Sequence, residues 1–218
     1  SIEPAPISDI IYKGGSFYVF DNILYVYSNS NVFKYNIDLN NSDFSTSPTP
    51  LCSDVLCHHN NAECPLYLKT PAVRLAVDEH ETALNGNAPI IYFSDASYIK
   101  RYNAASNSTE IIVDDLYGTI TSLWIYGDRL YYTAYMGDTY DLGYISKYGK
   151  ESNVLERKNS DVVCRIIGFY NDSLIYSDDL MSFYSVDLAL NAEKLLLQTN
   201  CYATGIIQNG VLYFCNDQ

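Results

Sequence analysis

Five times along the chain a turn of Asn, Asp or Gly is followed by a short aliphatic and aromatic run: DNILYVYS from Asp21, NAPIIYFSD from Asn87, GDRLYYTA from Gly127, NDSLIYSD from Asn171 and NGVLYFCN from Asn209. Apolar runs of strand length bounded by turn formers specify half-buried strands, and each of these reads as the second strand of a hairpin. With Leu24, Ile91, Leu130, Leu174 and Leu212 as equivalent positions, the spacings are 67, 39, 44 and 38 residues. The first interval is the longer one, by about 27 residues.

The partner strand precedes the turn as SFYVF from Ser16, ITSLWIY from Ile120, VVCRIIGFY from Val162 and YATGIIQ from Tyr202. A third run follows as NVFKYNID from Asn31, YIKRYNAA from Tyr98, YISKYGKE from Tyr144 and SFYSVDLA from Ser182. In three units there is a fourth: TEIIVDD from Thr109, SNVLERK from Ser152 and EKLLLQT from Glu193. A four-stranded meander cannot bury both faces alone, so copies must pack face to face, and radial closure also removes exposed edges. The expected fold is all-β, a β-propeller-like array of four-stranded antiparallel blades, about five units with the last incomplete. A sandwich or an up-and-down barrel is the competing architecture. The expected domain is residues 1–218 as one propeller-like body or a fragment of a larger propeller, with an insertion at about 42–70. The run DIIYKGG from Asp9 resembles the fourth strands and is a candidate for closing the ring. Residues 71–84, PAVRLAVDEHETAL, contain helix formers, but Val73, Leu75 and Val77 alternate, so a strand is expected there.

Composition sharpens this picture. The chain has 218 residues, and its 22 tyrosines stand against one tryptophan and two methionines. Tyrosine suits a pleated, half-buried surface, whereas Asn and Asp suit tight hairpins. The 13 basic and 26 acidic side chains give a formal charge of −13, which repels phosphate backbones, so no nucleic-acid partner is expected. No apolar run approaches the roughly 20 residues of a membrane span, and the opening SIEPAPISD has neither the basic nor the apolar region of a signal peptide.

The lengthened interval holds the densest chemistry, PTPLCSDVLCHHNNAECPLY from Pro48, with Cys52, Cys57, His58, His59 and Cys64 within 13 residues of loop. Three thiolates and one imidazole are a ligand set for structural zinc. The same cysteines also read as a disulfide staple for a loop with little core, and the six cysteines of the chain permit fifteen pairings. The staple is the leading expectation, bound zinc the second and free thiols the third. Cys164, Cys201 and Cys215 lie in apolar strands and read as core.

The order Cys-x4-Cys-x-His-x4-Cys-Pro over residues 52–65 resembles a pattern in extracytoplasmic lipoproteins of Firmicutes built on propeller-like domains, the class related to the DUF5050 family. The resemblance puts the ligand histidine at His59, with His58 its neighbour, and so names Cys52, Cys57, His59 and Cys64 as the metal set. It implies export, a signal peptide and a lipid anchor in the precursor, and no known activity.

Enzyme signatures are sparse. His80 in DEHETAL lacks a second histidine four residues on, and there is no nucleophile elbow, P-loop or dinucleotide fingerprint. Three carboxylate pairs, Asp114 with Asp115, Asp178 with Asp179 and Asp138 with Asp141, suit glycoside hydrolysis or calcium, yet read first as turn residues. The same holds for the sequons at Asn107 and Asn171. The long hairpin YMGDTYDLGY offers Tyr135, Asp138, Tyr140 and Asp141 as a candidate ligand site, since tyrosines at a loop tip stack on sugars or on a protein, or else pack on the next blade. The expected function is a non-enzymatic exported binding module for a protein or carbohydrate; the rival is a carbohydrate or peptide hydrolase using carboxylates at the propeller channel.

Overall fold

Hairpins form where the sequence supplies residues that tolerate positive φ. Asp21 and Asn22 (φ 49° and 58°) and Asn171 and Asp172 (φ 46° and 56°) make two-residue turns of the kind whose twist matches antiparallel strands. The structure, a computed structural model, describes residues 16–37, 47–70, 73–95, 97–114, 116, 118–159, 162–178, 182–199, 205–208 and 210–214.

The first sheet is β1 (Phe17–Phe20), β2 (Ile23–Ser28), β3 (Asn31–Asn36) and β4 (Thr49–Pro50). The second is β5 (Leu75–Val77), β6 (Ile90–Asp95), β7 (Tyr98–Asn103) and β8 (Ser108–Val113), with helix α1 (Glu79–Leu84) between β5 and β6. The third comprises β9 (Thr119–Tyr126), β10 (Arg129–Tyr135), β11 (Thr139–Ser146) and β12 (Ser152–Asn159); the fourth comprises β13 (Arg165–Tyr170), β14 (Ser173–Asp178), β15 (Ser182–Asp187) and β16 (Ala192–Gln198). A two-stranded fifth sheet, β17 (Gly205–Gln208) and β18 (Val211–Phe214), follows.

Within every sheet the strands pair antiparallel with their neighbours in sequence, and among the described residues no pairing passes from one sheet to the next. These are β-propeller blades, four complete and the fifth of two strands, not the single continuous sheet of a barrel. The predicted second strands are β2, β6, β10, β14 and β18, with Leu24, Ile91, Leu130, Leu174 and Leu212 at matching places.

Two elements differ from the sequence expectation. The strand expected to run through residue 84 ends at Val77, and Glu79–Leu84 is helical because Asp78 caps it: the Asp78 side chain accepts from Glu81 N at 2.9 Å. The first blade also has a fourth strand that no apolar run announces, the two residues of β4 pairing with Phe33 and Lys34. The ring-closing candidate from Asp9 lies outside the described residues.

The chain divides into two compact units, Ser1–Leu116 and Tyr117–Gln218. The core of the first joins Tyr18, Tyr25 and Val32 to Leu75, Val77, Ile91, Phe93 and Tyr102. In the second, Tyr131, Leu142, Ile166, Leu174, Tyr176 and Val186 are buried together, and Ile207 and Leu212 seat the last hairpin against Ile167, Ile175 and Phe183. No helix among the described residues is long and apolar enough to cross a membrane.

Candidate metal centre

The insertion leaves the first blade after β4 and is tied at both ends to the β2–β3 turn and the start of β3. Leu51 N donates to Val32 O and Leu68 N to Ser30 O, each at 2.9 Å. Leu51, Leu66 and Leu68 are buried in the core of the first unit, at about 1.5–3 kcal/mol for each such side chain. That burial offsets the entropy lost in ordering an irregular segment. Thr109 Oγ1 adds a hydrogen bond to Pro65 O at 2.6 Å.

Two turns of one kind present the second and third cysteines of the loop. Asp54 Oδ1 accepts from Leu56 N (2.9 Å) while Asp54 O accepts from Cys57 N (3.1 Å); Asn61 Oδ1 accepts from Glu63 N (3.1 Å) while Asn61 O accepts from Cys64 N (3.1 Å). Each cysteine thus closes an Asx-x-x-Cys turn, a signal present in the sequence that the spacing argument missed.

The donor atoms of Cys52, Cys57, His59 and Cys64 all lie within 4.8 Å of one another. Tetrahedral zinc, with Zn–S about 2.3 Å and Zn–N about 2.0 Å, requires donor separations of about 3.5–3.8 Å, so a small contraction closes the set around one ion. Cys52 and Cys64 are buried, Cys57 and His59 half-buried, and His58 exposed. His59 adopts a left-handed φ of 56°; its N donates to Cys57 Sγ at 3.4 Å, and its Nδ1 is 3.9 Å from Cys64 Sγ. Desolvation holds the Cys57 thiol above its ordinary pKa, Cys64 beside it adds to the rise, and the His59 N–H opposes it. These four side chains can hold a metal ion.

The structure forms no disulfide among Cys52, Cys57 and Cys64, contrary to the leading expectation. Three sulfurs and a ring nitrogen converge on one centre, whereas a staple would join two sulfurs and leave the third beside an idle imidazole. Cys164 is buried as expected, and Cys201 and Cys215 lie outside the described residues.

Asn31 is the residue here that sequence reasoning missed. It opens β3, is 0% exposed, and its Nδ2 donates to His59 O at 3.0 Å and to Cys64 Sγ at 3.3 Å. It lies 33 positions from Cys64 and belongs to no motif.

The other candidates do not assemble into one loop tip. Strands β10 and β11 run to Tyr135 and from Thr139, so the hairpin expected to be long turns tightly over 136–138. Tyr135 and Asp138 are exposed, whereas Tyr140 and Asp141 are buried strand residues. The Tyr135 and Tyr140 rings lie 5.2 Å apart, and Arg157 on β12 grips the Asp141 carboxylate through Nε and Nη2, both at 2.7 Å. Burial first, and then the Asp141 charge, push the Tyr132 phenol up to about 12. Asp178 is buried and accepts from Ser182 N at 3.0 Å, while Asp114 and His80 are exposed, His80 on α1. Asp115 and Asp179 lie outside the described residues. Asn107 and Asn171 hold positive φ, as turn residues do.

No protein-family model matches the chain, and no curated protein matches it by sequence. Solved structures do resemble it. The computationally designed Ika8 protein aligns with a TM-score of 0.52 at 14% identity, covering 90% of this chain and 53% of that one. The extracellular domain of a proposed one-component system of B. thetaiotaomicron aligns at 0.50 and 14%, covering 90% of this chain and 23% of that one. Puromycin hydrolase aligns at 0.50 and 14%, covering 86% of this chain and 31% of its own. At such identities the similarity shows the fold alone.

Proposed function

We propose that this propeller-fold chain is an exported, non-enzymatic binding module whose insertion is stapled by one structural zinc ion held by Cys52, Cys57, His59 and Cys64. The observation that carries the reading is the convergence of those four donors within 4.8 Å. Three thiolates with an imidazole favour zinc over harder cations, and four protein donors leave no open position for a substrate, as in sites that hold a fold together. Export is supported by the resemblance of the cysteine pattern to that of extracytoplasmic lipoproteins. The non-enzymatic reading draws support from Asp141, the best candidate carboxylate, whose oxygens are both engaged by Arg157. The ligand is a protein or a carbohydrate, with exposed Tyr135 and Asp138 at the β10–β11 turn as first contacts to test.

Metal analysis and thiol titration of protein purified without reductant test the staple. One zinc per chain is expected, with the three loop thiols shielded from alkylation until a chelator removes the metal. A disulfide within the loop and no zinc overturns the assignment. Hydrolysis of polysaccharides or peptides that Asp141→Asn abolishes overturns the non-enzymatic reading.

A further inference from the structure

The end of the β2–β3 turn and the start of β3 contribute three consecutive residues to the insertion. Ser30 and Val32 offer backbone carbonyls to Leu68 and Leu51, and Asn31 between them sends its side chain to the cysteine loop. All of the Asn31 amide is used. One Nδ2 hydrogen goes to His59 O and the other to Cys64 Sγ, while Oδ1 accepts from Val32 N at 2.8 Å. A flipped amide would set its oxygen against a carbonyl and a sulfur and its hydrogens against the Val32 N–H, so these partners dictate one orientation.

We infer that Asn31 is the positioning residue of the metal centre, fixing two of the four donors and tuning Cys64 as a ligand. This rests on the metal reading above. Its bond to His59 O restrains a peptide held at φ 56°, and thereby the imidazole that must face the thiolates. Its bond to Cys64 Sγ draws negative charge off one of three crowded thiolates, which reduces their mutual repulsion and makes that sulfur a weaker electron donor. Partners of this kind, one step removed from the metal, change affinity about 10–100-fold when lost.

Asn31→Asp separates this role from a merely structural one. It preserves size and the oxygen that accepts from Val32 N, but replaces the donor facing Cys64 and His59 with a carboxylate oxygen. Zinc affinity, read by chelator competition on the whole chain, is expected to fall about 10–100-fold. Cobalt is the spectroscopic probe: at saturation the sulfur-to-cobalt charge-transfer band is expected at longer wavelength than in the parent, because an unbonded thiolate gives up its electrons more readily. Should Asn31→Asp not fold, Asn31→Leu, uncharged and of similar volume, provides the same comparison. Parent-like affinity with an unmoved band overturns the role of Asn31 alone. Reduced affinity with an unmoved band overturns the tuning and leaves a packing residue. A parent protein that binds neither zinc nor cobalt overturns this inference and the metal reading together.

Discussion

Two histidines stand side by side in the insertion, and their backbones decide which one faces the sulfurs. His59 takes the left-handed conformation and turns its Nδ1 toward Cys64, while His58 stays exposed. Replacing each with alanine should therefore have unequal effects: His59→Ala removes a ligand and lowers zinc retention during dialysis against a chelator, whereas His58→Ala leaves retention at the parent level. Equal losses would mean that the imidazoles exchange and that the φ of His59 does not select. The cluster was legible because five ligand-type residues stand close together in sequence, with His59 singled out over His58 by the resemblance. Asn31 was not, because an asparagine opening a strand looks like any other turn residue, and only folding brings it against Cys64.

At the scale of elements, the strands that could be read were those where apolar alternation met an Asn, Asp or Gly turn. Strand β4 escaped because two residues carry no period. Helix α1 escaped because six residues are too few to show a helical face, although Asp78 followed by Glu81 matches the acidic form of a capping pair. Longer strands bring a different constraint. On β11 a Cβ added at Gly143 would lie 2.6 Å from Asn153 O and 2.8 Å from Tyr132 Oη, beside the register shift between Leu142 and Gly143. Gly143→Ala is expected to destabilise the protein by about 1–3 kcal/mol, seen as an earlier midpoint in urea. An unchanged midpoint would show that β12 can move aside.

Across the whole molecule, the tyrosines that made the composition unusual make up much of the interior, and they couple stability to alkali. Burial, the largest cause at each, lifts the phenols of Tyr25 and Tyr132 to about 12 and those of Tyr18, Tyr92 and Tyr102 higher still. The unfolded chain releases these protons near about pH 10. The folded form holds them, so their contribution is complete below about pH 10 and drains away as pH rises from there through about 12. Denaturant titrations at successive alkaline pH values should show stability falling steeply above about pH 10, with the tyrosinate absorbance of these buried residues appearing together with unfolding. Ionisation of these buried tyrosines in a protein still folded would contradict this. The acidic balance of −13 works in the same direction at high pH, since each released proton adds to the self-repulsion of the chain. The tethering of the insertion has a further outcome for how such a chain can diversify. Because Leu51 and Leu68 dock on carbonyls only two positions apart, the stretch between them behaves as a cartridge in a fixed socket. Its exposed positions, unlike Leu66, which is part of the core, are then expected to tolerate changes of length and chemistry while the register of β2 and β3 stays set by their own pairing.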